Sequence, residues 1–180
     1  MIVIVDYGAG NLRSVENAFK SIGQQTKLAR APKDLEEASA IVLPGVGAFG
    51  DGMQNLRKLN LVEVLGEKVI AGKIPFLGIC LGLQFLAESS TEHGTHEGLG
   101  WLPGKVDLIK TISPQYRVPH IGWNEIDFQQ SSPLFEELQE EPVFYFVQSF
   151  QFLPDKAHPD LVTATSEHGG RITAAVAKDN

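Results

Sequence analysis

The chain is poor in the residues that would cross-link it or hold it in a membrane. It has a single cysteine, Cys80, in 180 residues, so no internal disulfide is available and a reducing, cytoplasmic setting is expected. No apolar run reaches the ~18 residues of a membrane span. Met1 leads straight into Ile-Val-Ile-Val-Asp, without the basic stretch and cleavage site of a secretory leader. Lys and Arg number 15 against 22 Asp and Glu, a formal net charge of −7, and that sign argues against non-specific nucleic-acid binding. There is no internal repeat and no low-complexity linker. What is present is ordinary globular composition, 43% apolar and 21% charged. The length suits one domain over residues 1–180 with a sizeable core.

The single cysteine stands in a pattern that points to chemistry. An apolar run from Ile74 to Ile79 meets Cys80, Gly82 follows, and a helix-like stretch runs from Leu83 to Ser89. Gly78-x-Cys80-x-Gly82 is the thiol counterpart of the strand–turn–helix nucleophile elbow. The small residues let the backbone turn tightly and present the sulfur at a strand end. The helix start is expected to lower the thiol pKa through its dipole. A buried structural cysteine is the alternative; the flanking glycines at a strand end favour a nucleophile.

The first 90 residues read as alternating strands and helices. Residues 2–6 are an apolar run suited to a strand buried on both faces of a parallel sheet. The loop Asp6 to Asn11 follows, then a helix with Val15, Ala18, Phe19 and Ile22 on one face, stopped by Gly23. Gln25 to Leu28 is a second strand, Asp34 to Ser39 a helical turn, and Ala40 to Leu43 a third strand ending in the loop Pro44 to Gly50. Leu61, Val64, Leu65 and Val69 mark a helix closed by Gly72, ahead of the cysteine strand. This order predicts an α/β fold, a mostly parallel sheet with flanking helices. Ligands of such sheets sit at the carboxyl ends of the strands, where the three glycine-bearing loops at 8–10, 45–50 and 78–82 all fall. The second half is richer in strands: Lys105 to Ile109, a buried strand Val143 to Val147, and a hairpin of Leu161–Glu167 and Arg171–Ala177 around Gly169-Gly170 with a primed-type turn. Ser132-Pro133 is a helix start.

A thiolate that attacks an acyl carbon needs oxyanion donors and a base. Leu81 N–H, directly after the nucleophile, is one candidate donor, and the Pro44-Gly45-Val46-Gly47 run offers a second. Five histidines are available as a base: His93, His96, His120, His158 and His168. His93 and His96 lie among Glu92 and Glu97, but their spacing fits no standard zinc pattern, and a solvated loop explains them. His158-Pro159-Asp160 has the look of a catalytic triplet, yet it precedes a strand instead of ending one.

Taken together, Gly78-Ile79-Cys80-Leu81-Gly82-Leu83-Gln84 resembles the nucleophile motif of class I, triad-type glutamine amidotransferases, and Pro44-Gly45-Val46-Gly47 resembles their oxyanion loop. The opening Asp6 to Val15 and the stretch Pro119 to Asn124 are similar to the glutaminase subunits that serve a cyclase in histidine biosynthesis. The resemblance runs in order from Met1 to Asn180. It implies a flavodoxin-like amidotransferase fold whose C-terminal strands are antiparallel and incomplete. It implies that Cys80 takes L-glutamine to glutamate and ammonia through a thioester, with oxyanion contacts from Gly45, Val46, Gly47 and Leu81. Gln84 and Glu92 would hold the glutamine, with Gln148, Ser149 and Phe150 beside it. The ammonia would pass to a (β/α)8-barrel cyclase, met at Asn11, His120, Trp123 and Asn124. No metal or organic cofactor is implied.

Two departures stand out. Gln148 and Phe150 replace the histidine and tyrosine usual in the family, which raises a paralogue supplying ammonia elsewhere, such as to surface-sugar amidation. The family's catalytic His and Glu belong to a segment just after the strand matching Arg171 to Ala177, so the chain as written is expected to lack both and to be inactive or nearly so. A non-catalytic scaffold for a barrel partner is the reading from a different class.

Overall fold

Runs of β-branched and apolar residues lay down a parallel sheet in the first of two units, Met1–Trp101. The computed structural model describes residues 1–138 and 142–179. In this unit the strands are β1 (Ile2–Val5), β2 (Thr26–Ala29), β3 (Ala40–Gly45) and β4 (Phe76–Cys80), hydrogen-bonded in the order β2-β1-β3-β4. All the pairings are parallel. The helices are α1 (Leu12–Ser21), α2 (Phe49–Lys58), α3 (Leu61–Gly66), which runs into a π-helical turn at Glu67–Ala71, and α4 (Leu81–Gln84). A short ribbon of β5 (Ser89–Ser90) and β6 (His96–Glu97) completes the unit. Its interior is built from Val3, Ile4, Val5, Ile41 and Leu43 on the strands and from Phe49, Met53, Leu56, Leu61, Leu65 and Phe85, each at most 1% exposed.

The unit departs from the sequence-based expectation in two connections. The loop expected at 44–50 is shorter, because β3 continues through Gly45 and α2 begins at Phe49. Pro44 is tolerated in the strand because the ladder to β1 ends at Val42. Gly50 and Gly52 hide α2 from a propensity reading, yet Phe49, Gly52, Met53 and Leu56 are buried at helical spacing. Gly52 lacks a side chain for a reason: a Cβ there would fall 2.4 Å from the Phe85 ring. The turn expected at Asp34–Ser39 forms earlier, as a 3-10 helix at Pro32–Leu35. The Asp34 carboxylate accepts from the N–H groups of Arg30 and Ala31 at 3.0 and 3.1 Å, and proline suits a first helical turn.

The second unit, Leu102–Asp179, is antiparallel throughout its described pairings. Its strands are β7 (Gly104–Leu108), β8 (His120–Glu125), β9 (Asp127–Phe128), β10 (Val143–Gln148), β11 (Phe150–Pro154), β12 (Val162–Glu167) and β13 (Arg171–Val176). β7 pairs with β11, β8 with β10, and β12 with both β9 and β13. The parallel first half and antiparallel second half agree with the fold class read from the sequence. Ile126, Phe146 and Ala164 form a core cluster with Phe135, Ala174 and Ala175 against it. Ser132 caps the 3-10 turn Pro133–Phe135 through its hydroxyl, which accepts from Leu134 N–H at 3.3 Å. The turn between β12 and β13 closes over three residues, His168 to Gly170, with both glycines at positive φ. The strand Val143 to Val147 is not buried as expected. Only Phe146 is buried: alternation turns Val143, Tyr145 and Val147 outward, and Phe144, on the same face as Phe146, is still 42% exposed.

Candidate active site

The elbow is held by close backbone packing. A Cβ on Gly82 would lie 1.7 Å from the Leu43 carbonyl oxygen, and one on Gly78 would lie 2.6 Å from the Gly82 carbonyl oxygen. Only glycine at both positions lets the turn fold back onto β3. Between them Cys80 adopts φ 55°, ψ −112°, a left-handed conformation that costs a non-glycine residue on the order of 1–3 kcal/mol. That strain sits on the residue with the free thiol, which is exposed at the end of β4.

The helix after the thiol is shorter and closer than expected. It spans Leu81–Gln84, and not Leu83 to Ser89; Ser89 already belongs to β5. The thiol pKa also runs opposite to expectation. Burial of the sulfur's surroundings pushes it up, and the Leu81 N–H, hydrogen-bonded toward the sulfur, pulls it down without prevailing. A single helical turn has little dipole to offset desolvation.

The glycine run predicted to supply an oxyanion donor does lie beside the cysteine. Gly45 is the register partner of Cys80 across the β3–β4 ladder. Val46 follows, 54% exposed, and Gly47 takes φ 95°. The backbone here is crowded on one side by Tyr7, whose hydroxyl oxygen would be 2.4 Å from a Cβ on Gly45. Tyr7 was not singled out from the sequence. The available signal was its place directly after the buried strand β1, at the same sheet edge as the other two glycine loops.

The remaining expected contacts are distributed over both units. Gln84 ends α4. Glu92 has a structural task, since its Oε2 accepts from the Phe49 N–H at 2.7 Å and caps α2, whose N-cap residue Ala48 offers no side-chain bond. Asn11 caps α1, its Oδ1 accepting from Ser14 N–H at 3.3 Å. In the second unit, Gln148 pairs with His120 across β8–β10, the Ser149 carbonyl accepts from Ile109 N–H at 2.8 Å, and Phe150 pairs with Leu108. His120 is 3% exposed and stacked between Phe146 and His168, with centroids 4.7 and 4.1 Å away. Asn124 donates to the Glu167 carbonyl at 2.9 Å, and Trp123 is 73% exposed. His158 precedes the 3-10 turn Pro159–Leu161, ahead of β12.

The chain is similar to known proteins over nearly all of its length. The family model described as glutamine amidotransferase class-I matches residues 3–180. The chain is 47% identical over 182 residues to the imidazole glycerol phosphate synthase subunit HisH of Sulfurimonas denitrificans, covering 100% of this chain and 86% of that protein. It is 44% identical over 179 residues to the protein of the same description from Aquifex aeolicus, covering 99% and 84%. A solved structure described as a glutamine amidotransferase shares the fold with a TM-score of 0.70 at 19% identity, covering 93% of this chain and 85% of that one.

Proposed function

Since the chain belongs to the class-I glutamine amidotransferase family, we propose that Cys80 is the nucleophile of a glutaminase serving an imidazole glycerol phosphate synthase in histidine biosynthesis. The Cys80 thiolate adds to the side-chain amide carbon of glutamine. The tetrahedral oxyanion collapses, the C–N bond breaks, and the nitrogen leaves with a proton as ammonia. Water then cleaves the thioester to glutamate and restores the thiol. The observation that carries this reading is the strained Cys80 backbone between two glycines that tolerate no side chain, with Leu81 N–H directed at the sulfur.

In this reading Leu81 N–H and the Gly45–Gly47 backbone stabilise the oxyanion. Gln84 and Glu92 hold glutamine, and Gln148, Ser149 and Phe150 are the further residues that the family resemblance assigns to it. No resident metal or organic cofactor takes part. The catalytic His and Glu are assigned to no residue of 1–180. Ammonia passes to a (β/α)8-barrel cyclase. Support for a contact on the second unit comes from Trp123, which is exposed with Ile121, Tyr145 and Val147 around it; His120 and Asn124 would support that surface from within, and Asn11 is assigned to the partner separately. One observation favours a second reading: Gln148 and Phe150 suit a paralogue that supplies ammonia to another acceptor.

The test is glutamate release by the protein extended with the family's His- and Glu-bearing segment, assayed with the cyclase and its ligand. Cys80→Ala is expected to remove turnover by several orders of magnitude, and undiminished release would reject the assignment. Turnover that a histidine-pathway cyclase fails to stimulate would favour the paralogue.

A further inference from the structure

Tyr7 stands next to the proposed nucleophile and has no task in the reaction as written above. Its side chain is 2% exposed. The ring meets Phe85 edge-on with centroids 5.8 Å apart, and Phe85 is wedged in the same way against Phe49 at 5.3 Å. The ring is therefore held in place, and its hydroxyl reaches the spot that the missing side chain of Gly45 leaves open. A Cβ there would lie 2.4 Å from the Tyr7 oxygen, 2.9 Å from Leu81 Cβ and 3.2 Å from the Gly82 nitrogen. Gly45 faces Cys80 in the ladder, so the hydroxyl is packed between the two turns that flank the thiol.

In that position the hydroxyl has no hydrogen-bond partner among the described residues. A buried donor left unpaired costs about 1–3 kcal/mol, and phenylalanine would fill the same space without that cost. The neighbouring charges do not satisfy it. The Asp6 carboxylate is taken by Arg30 Nε at 2.6 Å and by Gly8 N–H at 3.1 Å. The nearby Val46 N–H is itself a donor and cannot take up the hydroxyl proton. In the resting state the hydroxyl bonds neither the neutral Cys80 sulfur nor any other described acceptor.

We propose that the Tyr7 hydroxyl is a hydrogen-bond donor to the anion formed at Cys80, stabilising its thiolate. The inference rests on the reading of Cys80 as a nucleophile. It uses a group that keeps its proton, because burial and the nearby Cys80 charge both push the Tyr7 pKa well above its ordinary value. No proton is transferred: the phenol stays neutral and donates, as Leu81 N–H does.

The test is Tyr7→Phe in the whole protein, reading the pH dependence of iodoacetamide alkylation from the mass of the Cys80 peptide. The alkylation midpoint should rise by about one pH unit, a roughly tenfold loss of thiolate at neutral pH. The thermal midpoint should hold or rise, since only an unpaired hydroxyl is lost. An unchanged alkylation profile in the folded variant overturns the proposal, and so does a fall in thermal stability with no change in profile, which assigns Tyr7 to packing. A shifted profile in a protein that releases no glutamate, with or without partner, supports the Tyr7 inference and rejects the glutaminase reading instead.

Discussion

The two units treat their apolar side chains in opposite ways. In Met1–Trp101 the strand residues Val3 to Val5 and Ile41 to Leu43 are buried at 3% exposure or less, as are the inward residues of α2 and α3. In Leu102–Asp179 the β8–β10 ribbon turns one row inward, with His120 and Phe146, and leaves the other in solvent. Ile121 and Trp123 are 58% and 73% exposed, and face Val147 and Tyr145 across the ladder at 58% and 55%. The Trp123 and Tyr145 rings meet edge-on at 5.5 Å, so the outer row is an assembled surface and not a scatter of single residues. The first unit spends its packing on holding a strained thiol in place. The second keeps part of its apolar area available for something else to cover.

The strongest way to break that contrast is Gly82→Ala. Its Cβ would overlap the Leu43 carbonyl oxygen, a backbone atom that cannot swing aside. We expect a loss of about 3 kcal/mol or more, seen as a drop in the urea midpoint and early proteolysis within Met1–Trp101. A fully stable variant would show that the elbow is less tightly packed than the first unit's interior. Next in size is Trp123→Ala. The expected result is about 30-fold weaker association with the cyclase by calorimetry, with the thermal midpoint of the isolated chain nearly unchanged, because little buried area is lost. If affinity is kept, the outer row of the ribbon is not the covered surface.

The smallest expected effect concerns pH and the inward row. Burial, with a lesser contribution from His168, holds the His120 pKa below its ordinary 6.5. Between that lowered value and 6.5 the unfolded chain binds more protons than the folded one, so stability rises with pH across this window. The contribution is complete above 6.5 and is lost as pH falls below it. Urea midpoints of the second unit at pH 7.5 and 5.5 should differ in that direction, and His120→Gln should flatten the difference. An equal slope in the variant would assign the pH dependence elsewhere.

Much of the first unit was legible because its signals are local. The apolar runs of β1 and β3, and the Gly78-x-Cys80-x-Gly82 spacing, state a steric requirement in adjacent residues. Helix α2 escapes a sequence reading that carries the loop through Gly50 and resumes at Leu61, whereas Gly52 is glycine to admit Phe85, 33 residues further on. The exposure of Val143 to Val147 was misread for a related reason. A run of five apolar residues suits a strand covered on both faces, and nothing in the run reveals that one face meets no core residue in this chain. Tyr7 lies inside the Asp6 to Asn11 loop with no local signal of its own, since its importance lies in where the hydroxyl ends.

What the sequence determined by itself is a parallel sheet for the first half of the chain and the one thiol that can be proposed as a nucleophile. Chain sterics alone demand glycines around a cysteine at a strand end, and no other thiol competes. The tertiary structure decided the state of that thiol, through desolvation that outweighs a one-turn helix. It also decided which neighbour waits beside it with an unpaired donor, and which ribbon face is left in solvent. These are sums over atoms brought together from distant segments. Burial and hydrogen-bond satisfaction exist only once the strands have met.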